Sequence, residues 1–452
     1  MPRLLIAIFS IASIYVIYKI FVHLLNRKLA IILTILTAFN FNFLFQSTVV
    51  EPEHPFILLS MLVILYVLKN KDSMNLKKTL FLSALTLLAC LFRTIGITLI
   101  PAVAIAIIKF DKKKIFELKK YKYAFVYAVL ATLTFALLSV YYVEKFKSPT
   151  LPYTADKVLF MIDTEALTQL NGNPVALLLK PILNTLGYIY ILPSLMFNAA
   201  LTTAVSDIAH YSILPNLVDG KTLISTLASF PIYLYLYVLI GIFISIIIMT
   251  GFVYSILKKR SIIDWYFLFY ALILLLYNYR MIRFLIPLVP VLFFYIYRAI
   301  QLIQTRINIS RIVFSLAILL IVLNVFQSIL YAISIHQNTD YDPNMKDVLE
   351  MGRWASMNLP RGTKIMDRWG RFGFDILYDI KEVTYPYNYN TTEVYNKVKQ
   401  NGVEYVIEDS LEDMKGTYGW NRQAGPEPFI KDYKNKLFKL HTIGNCNLYR
   451  IT

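Results

Sequence analysis

The sequence predicts an α-helical polytopic membrane protein that ends in a small α/β domain. Three observations lead there. The 452-residue chain is 57% hydrophobic, with a mean hydropathy of +0.57, well above a soluble domain. Apolar stretches able to cross about 30 Å of hydrocarbon, roughly 20 residues each, recur through its first three quarters. Charge is divided unevenly. Residues 336–452 hold 16 basic and 16 acidic residues, so 29 of the 45 Lys and Arg but only 12 of the 28 Asp and Glu precede them.

The apolar stretches fall at residues 4–24, 29–47, 55–69, 79–92, 94–109, 123–143, 229–257, 262–278, 284–303 and 312–334. About ten crossings are expected, although the two flanking Arg93 could form one broken hairpin. Residues 4–24 have almost no basic residue ahead of them and no small-x-small cleavage site, so they read as a retained span. Residues 1–335 form the predicted transmembrane domain. Within it, 144–228 is too long for an idle loop. Residues 155–170 and 173–190 have helical apolar spacing, broken by Asn171-Gly172 and Pro181. A crossing over 183–205 would invert the charge pattern that follows, so interfacial or re-entrant helices are expected there.

The basic residues sit in short connections: Arg27-Lys28, Lys69 to Lys78, Lys109 to Lys122, Lys258-Lys259-Arg260 and Arg306 to Arg311. Alternation of spans puts every one of these on the same side, which the positive-inside rule makes cytoplasmic. Basic charge spread over short loops is not a nucleic-acid footprint, and no nucleic-acid partner is expected. The opposite, extracytoplasmic side receives Glu51-Pro-Glu-His-Pro55, Arg93, the 144–228 segment, Tyr279 to Arg283 and the C-terminal domain. The chain would then start outside, with only Met1-Pro2-Arg3 ahead of the first span. An upstream start with a further span and outer loop explains that arrangement; a true N-out protein is the alternative.

Residues 336–452 read as an extracytoplasmic α/β domain. Asp342-Pro343 opens a helix to about Met357, with an N-cap and an N1 proline. Lys364 to Met366 reads as a strand, and Asn390-Thr-Thr-Glu393 as a capping box for a helix ending near Gly402. A strand over 403–407 and a hairpin over 437–443 and 447–451 complete it. Trp369 and Tyr385-Pro-Tyr-Asn-Tyr389 could stack on sugar rings, though aromatics in a tight turn more often cover a core edge. Cys90 and Cys446 are the only cysteines and cannot make a metal set.

Several segments in order resemble one family. Pro2-Arg-Leu-Leu-Ile-Ala-Ile-Phe-Ser10 before a span, Asn26-Arg-Lys-Leu-Ala30, Glu53-His-Pro-Phe-Ile-Leu-Leu59, Leu91-Phe-Arg-Thr-Ile-Gly96 through Pro101, and Arg283-Phe-Leu-Ile-Pro-Leu-Val-Pro290 are similar to polyprenyl-phosphate-sugar-dependent membrane glycosyltransferases of the C-type fold. These are the protein O-mannosyltransferase and aminoarabinose-transferase-like enzymes. The first segment resembles their second transmembrane helix. Their principal catalytic acidic residue lies in the first outer loop, between the first and second helices, and has no counterpart in this sequence.

The resemblance implies an inverting transfer of a monosaccharide, hexosyl or pentosyl, from a polyprenyl-phosphate carrier at the outer face of the cell membrane. The donor and membrane lipids are the implied partners; the acceptor could be a protein, a lipid or a polysaccharide. That chemistry needs cations for the leaving phosphate and a carboxylate for the acceptor's proton. Apart from Arg3, Arg93, Arg280 and Arg283 are the arginines at outer helix ends and could bind the lipid phosphate, since the guanidinium fork matches phosphate oxygens. An arginine at a helix end can equally snorkel to headgroups. Glu53 is the leading carboxylate, for acceptor positioning or proton work, with Glu51 next and His54 able to share a proton. A carboxylate pair can equally offset a helix dipole, and a lone histidine beside a proline more often caps or packs. No cofactor is expected; no metal signature is visible, although a phosphate site could recruit a divalent cation. A transporter or flippase for a lipid-linked sugar is the rival from another class, and a non-catalytic relative a third. Absence of an internal repeat and the gathering of ionisable residues at one face favour an enzyme.

Overall fold

The computed structural model describes residues 2–48, 51–108, 118–146, 174–196, 232–258, 260–276, 282–304, 310–337, 343–367, 380–384, 391–408 and 426–452. Arg280, Trp369, the 385–389 aromatics and the expected helix over 155–170 lie outside them. The chain divides into two compact units, one made from residues up to 203 with 229–330, the other including residues 331–452.

The first unit is a helical bundle: α1 (Pro2–Leu24), α2 (Arg27–Ala38), α3 (Phe41–Thr48), α4 (Glu53–Asn70), α5 (Leu76–Phe92), α6 (Leu99–Ile107), α7 (Leu118–Phe146), α8 (Pro174–Met196), α9 (Ile232–Lys258), α10 (Ile262–Leu276), α11 (Val289–Gln304) and α12 (Ser310–Gln337). Among the described residues, each of the ten apolar stretches is helical over most of its length. Among the described residues, four helical segments are long and apolar enough to cross a membrane alone: Leu4–Leu24, Glu53–Asn70, Val238–Lys258 and Ile282–Gln304. The pair α2 and α3, bent by 55°, makes a fifth, and shorter apolar stretches of helix occupy 94–107, 121–137 within α7, 262–276 and 317–330 within α12. Beyond these, α7 runs for 29 residues and α12 for 28, so the polytopic helical architecture stands as the sequence predicts.

Local sequence explains where these helices start. Asn26 caps α2 by accepting from the Leu29 N–H at 3.0 Å, and Asn75 caps α5 by accepting from Lys78 at 2.9 Å. Ser261 and Asp264 form a capping box at α10: the Asp264 carboxylate accepts from the Ser261 N–H at 2.7 Å and its hydroxyl at 3.0 Å. The other oxygen accepts from the Tyr295 hydroxyl at 3.1 Å, tying α10 to α11. α9 crosses α11 closely, since a Cβ on Gly251 would overlap the Tyr295 carbonyl.

The bend at 39–40 is held by two buried asparagines. The Asn40 side chain accepts from the Phe43 N–H at 3.1 Å and donates to the Leu195 carbonyl at the end of α8 at 2.7 Å. Asn324 on α12 accepts from the Phe41 N–H at 3.0 Å. Two of the N–H groups freed by the break are thus satisfied by side chains, as an apolar surrounding requires. α8 is one 23-residue helix with Pro181 and Pro193 inside it; it packs along α9 and α10, and Asn184 donates to the Leu275 carbonyl at 2.8 Å. The core includes Ile17, Phe21, Phe43, Phe56, Tyr266 and Tyr295, while Leu4, Ile8, Ile11, Tyr15 and Val22 form an outward apolar stripe on α1.

The second unit contains α13 (Pro343–Asn358), β1 (Lys364–Asp367), β2 (Lys381–Thr384), α14 (Thr391–Gln400), β3 (Tyr405–Glu408), α15 (Pro426–Asp432), β4 (Leu437–Ile443) and β5 (Cys446–Ile451). The strands run β2-β1-β3-β5-β4, with β2 and β3 parallel to β1, and β5 antiparallel to both β3 and β4. Alternation along the strands supplies two cores. Ile365, Ile407 and Leu448 pack with Val348 and Met351 of α13; Met366 and Val406 pack with Val394, Val398 and Phe429 of α14 and α15. The hairpin turns at Gly444, whose φ of +52° suits glycine. Next to it, the Asn445 N–H donates to Asp347 on α13 at 3.0 Å.

Candidate functional site

α4 begins at the acidic cluster and ends in lysines. Pro52 occupies its N-cap position, Glu53 stands in the first turn and Lys69 in the last. Carboxylates at this end meet the positive end of the helix dipole. The 18-residue helix separates the acidic and basic ends by about 27 Å.

Arg93 stops α5. Its backbone is extended (φ −148°, ψ 126°), and a short 3-10 turn over Thr94–Thr98 follows before α6. Gly96 donates its N–H to the Arg93 carbonyl at 2.9 Å. A Cβ there would lie 2.9 Å from the Cys90 backbone nitrogen, so only glycine lets the turn fold against α5. This tight return presents the Arg93 side chain to the start of α4.

There the Arg93 guanidinium forms an ion pair with Glu53. The Glu53 side chain is 1% exposed and that of Arg93 16%. A second pair stands beside the first: Arg283 Nη1 lies 3.3 Å from Glu51 Oε1, with side chains 35% and 28% exposed. Phe284 joins the two. Its ring has the Arg93 guanidinium at 5.2 Å and that of Arg283 at 5.5 Å, both within cation–π range. The 3-10 turn Ile282–Phe284 is itself anchored by the Tyr270 hydroxyl, which donates to the Phe284 carbonyl at 2.8 Å.

Four of the sequence-predicted residues, Glu51, Glu53, Arg93 and Arg283, are thus brought together. His54 is buried and directed elsewhere: its Nε2 is 3.1 Å from the Phe43 carbonyl, and its ring meets Phe43 edge-on at 4.8 Å. Its backbone carbonyl accepts from Ser13 of α1 at 3.5 Å. Phe284 and Tyr270 are additions that residue type alone does not signal. Among the described residues no three of His, Cys, Asp and Glu gather as a metal set. Glu51 and Glu53 both face guanidinium groups, so these residues do not fit a divalent cation as they stand.

Comparison with known proteins bears first on the N-terminal third of the chain. Residues 2–142 match the family model of dolichyl-phosphate-mannose-protein mannosyltransferase. Among solved structures, the oligosaccharyltransferase of Archaeoglobus fulgidus in complex with Zn and sulfate is 14% identical over 96% of this chain and 59% of that one, with a TM-score of 0.50. The fold is that of a C-type glycosyltransferase. The same archaeal enzyme, AglB, in complex with an inhibitory peptide and a dolichol-phosphate is 14% identical over all of this chain and 63% of its own, with a TM-score of 0.48. The chain therefore spans about three fifths of the length of these C-type structures. No match is found among curated proteins.

Proposed function

We propose that the protein transfers a monosaccharide from a polyprenyl-phosphate carrier to an acceptor hydroxyl at the extracytoplasmic face of the membrane. The observation that carries this reading is the pair of guanidinium groups gathered at the Phe284 ring, at the end of α4 opposite its lysines. The family match over residues 2–142 supports a lipid-phosphate sugar donor.

In the proposed step the acceptor oxygen attacks the anomeric carbon as the bond from that carbon to the phosphate oxygen breaks. The electron pair leaves on the phosphate, and the acceptor's proton passes to a carboxylate. Arg93 and Arg283 stabilise the charge that grows on the leaving phosphate, in an apolar surrounding that strengthens the interaction. Their forked donors suit two phosphate oxygens at once. Arg280, three residues before Arg283, is a further candidate for the same phosphate. Glu51, on the more open side, is placed to approach an acceptor, whereas Glu53 holds Arg93. Charge distribution supports the sidedness, since the basic connections cluster at the other helix ends.

The test is sugar transfer from a labelled polyprenyl-phosphate sugar in membranes carrying Arg283→Ala. Loss of transfer by about two orders of magnitude is expected for removal of one such cation. Unchanged transfer removes Arg283 from the site.

A further inference from the structure

The two ion pairs around Phe284 differ in a way that separates their roles. Glu53 is sealed in, with its side chain 1% exposed, and Arg93 is 16% exposed. Replacing Glu53 by an incoming anion would strand a buried carboxylate with no counter-charge, which is strongly unfavourable. The Glu51 pair is the opposite case. Both partners are about one third exposed and meet through a single 3.3 Å contact. Among the described residues, neither Arg283 Nε nor Glu51 Oε2 has a hydrogen-bond partner. Both atoms are buried, so Arg283 keeps donors in reserve beside a carboxylate held to it by one contact on a part-exposed pair, whose exchange costs little.

We propose that Glu51 is an internal stand-in for the carrier phosphate. The phosphate takes its place on Arg283, and Glu51 returns to help expel it, while the Glu53–Arg93 pair stays closed throughout and positions Arg93. This deepens, and rests on, the reading of the site as a lipid-phosphate site. Charge favours the cycle. The donor is a phosphodiester with one negative charge, and the spent carrier a monoester carrying more. The product therefore binds Arg283 more firmly than the donor does, and a competing carboxylate shortens its stay. Glu53 is a positioning residue in this scheme, and Glu51 a competitor for the same cation.

The experiment measures equilibrium binding of a radiolabelled short-chain polyprenyl monophosphate to the full-length protein in detergent. Glu51→Gln is expected to bind the probe about fivefold more tightly, the scale of one lost surface ion pair. Arg283→Ala is expected to bind it at least about tenfold more weakly. In the Arg283→Ala background, Glu51→Gln is expected to change nothing, because the competition acts only through that arginine. Equal or weaker binding by Glu51→Gln overturns the exchange while leaving the phosphate site intact. Tighter binding that persists without Arg283 also overturns it, since it shows only a long-range charge effect. Unchanged binding by Arg283→Ala instead overturns the proposed site itself.

Discussion

Glu53 and Arg93 form an ion pair between the first turn of α4 and the residue that ends α5, with the carboxylate almost wholly withdrawn from solvent. Such a pair is costly to break from one side and cheap to replace as a whole. Glu53→Gln is expected to lower stability by about 3 kcal/mol, because it leaves the Arg93 charge without its partner. The double variant Glu53→Gln with Arg93→Met is expected to recover most of that loss while remaining inactive. Thermal unfolding in detergent, followed by sugar-transfer assays, checks both outcomes. A double variant no more stable than Glu53→Gln alone would show that the pair does more than balance charge.

Gly96 controls Arg93 through the backbone. Gly96→Ala places a methyl group against the backbone of Cys90 and Ala89, and the 3-10 turn must shift to admit it. A cost of about 1–3 kcal/mol is expected, as for overpacking generally. Transfer activity should fall further than stability, since the displaced turn carries Arg93. Measured unfolding temperature and turnover of the same preparation separate the two effects.

Asn40 holds the bend between α2 and α3 by serving the Phe43 N–H and the Leu195 carbonyl together. Asn40→Ala leaves both buried groups without these bonds, at about 1–3 kcal/mol. Asn324→Ala removes the acceptor for the Phe41 N–H and should weaken the same joint. The two effects are expected to be non-additive, because both side chains brace one break. Unfolding of the single and double variants tests this directly.

Tyr449 gives the second unit a pH dependence in the alkaline range. Burial, together with the hydrogen bond and charge of Glu408, pushes its phenol up to about 12 from an ordinary value of 10. The hydroxyl donates to Glu408 at 2.8 Å, which only the neutral form can do. The stabilisation is complete below pH 10 and is lost as the pH rises through about 12. Hydrogen exchange of the β3 and β5 amides should therefore quicken over that window. Tyr449→Phe should show the faster exchange already at neutral pH and less change above it.

Much of this architecture is legible in the sequence because apolar runs force helix in a membrane. Charge alternation likewise groups Glu51, Glu53, Arg93 and Arg283 at one end. What it leaves open is which of them meet. The partners of each pair lie far apart in sequence, and their contact depends on how each helix is rotated. His54 illustrates the same limit: one step along α4 turns a side chain by about 100°, enough to send His54 to Phe43 while Glu53 faces Arg93. The bend at Asn40 is hidden inside a continuous apolar stretch, since the groups that satisfy it belong to α8 and α12. In the second unit, β1, α14, β3 and the hairpin follow from alternation and capping. β2 escapes because Lys381-Glu-Val-Thr384 is short and half charged, as an edge strand can be.

Ser13 of α1 stands level with the first turn of α4: its hydroxyl donates to the Phe9 carbonyl at 2.7 Å and lies 3.5 Å from the His54 carbonyl. Eleven helical steps separate Ser13 from Pro2, so the helix rises about 16 Å past that level. A tall greasy rampart thus closes one flank of the charged nook. If the site binds a lipid phosphate, as proposed, the flank along α1 is closed to it, which makes the direction of approach a property of the scaffold itself.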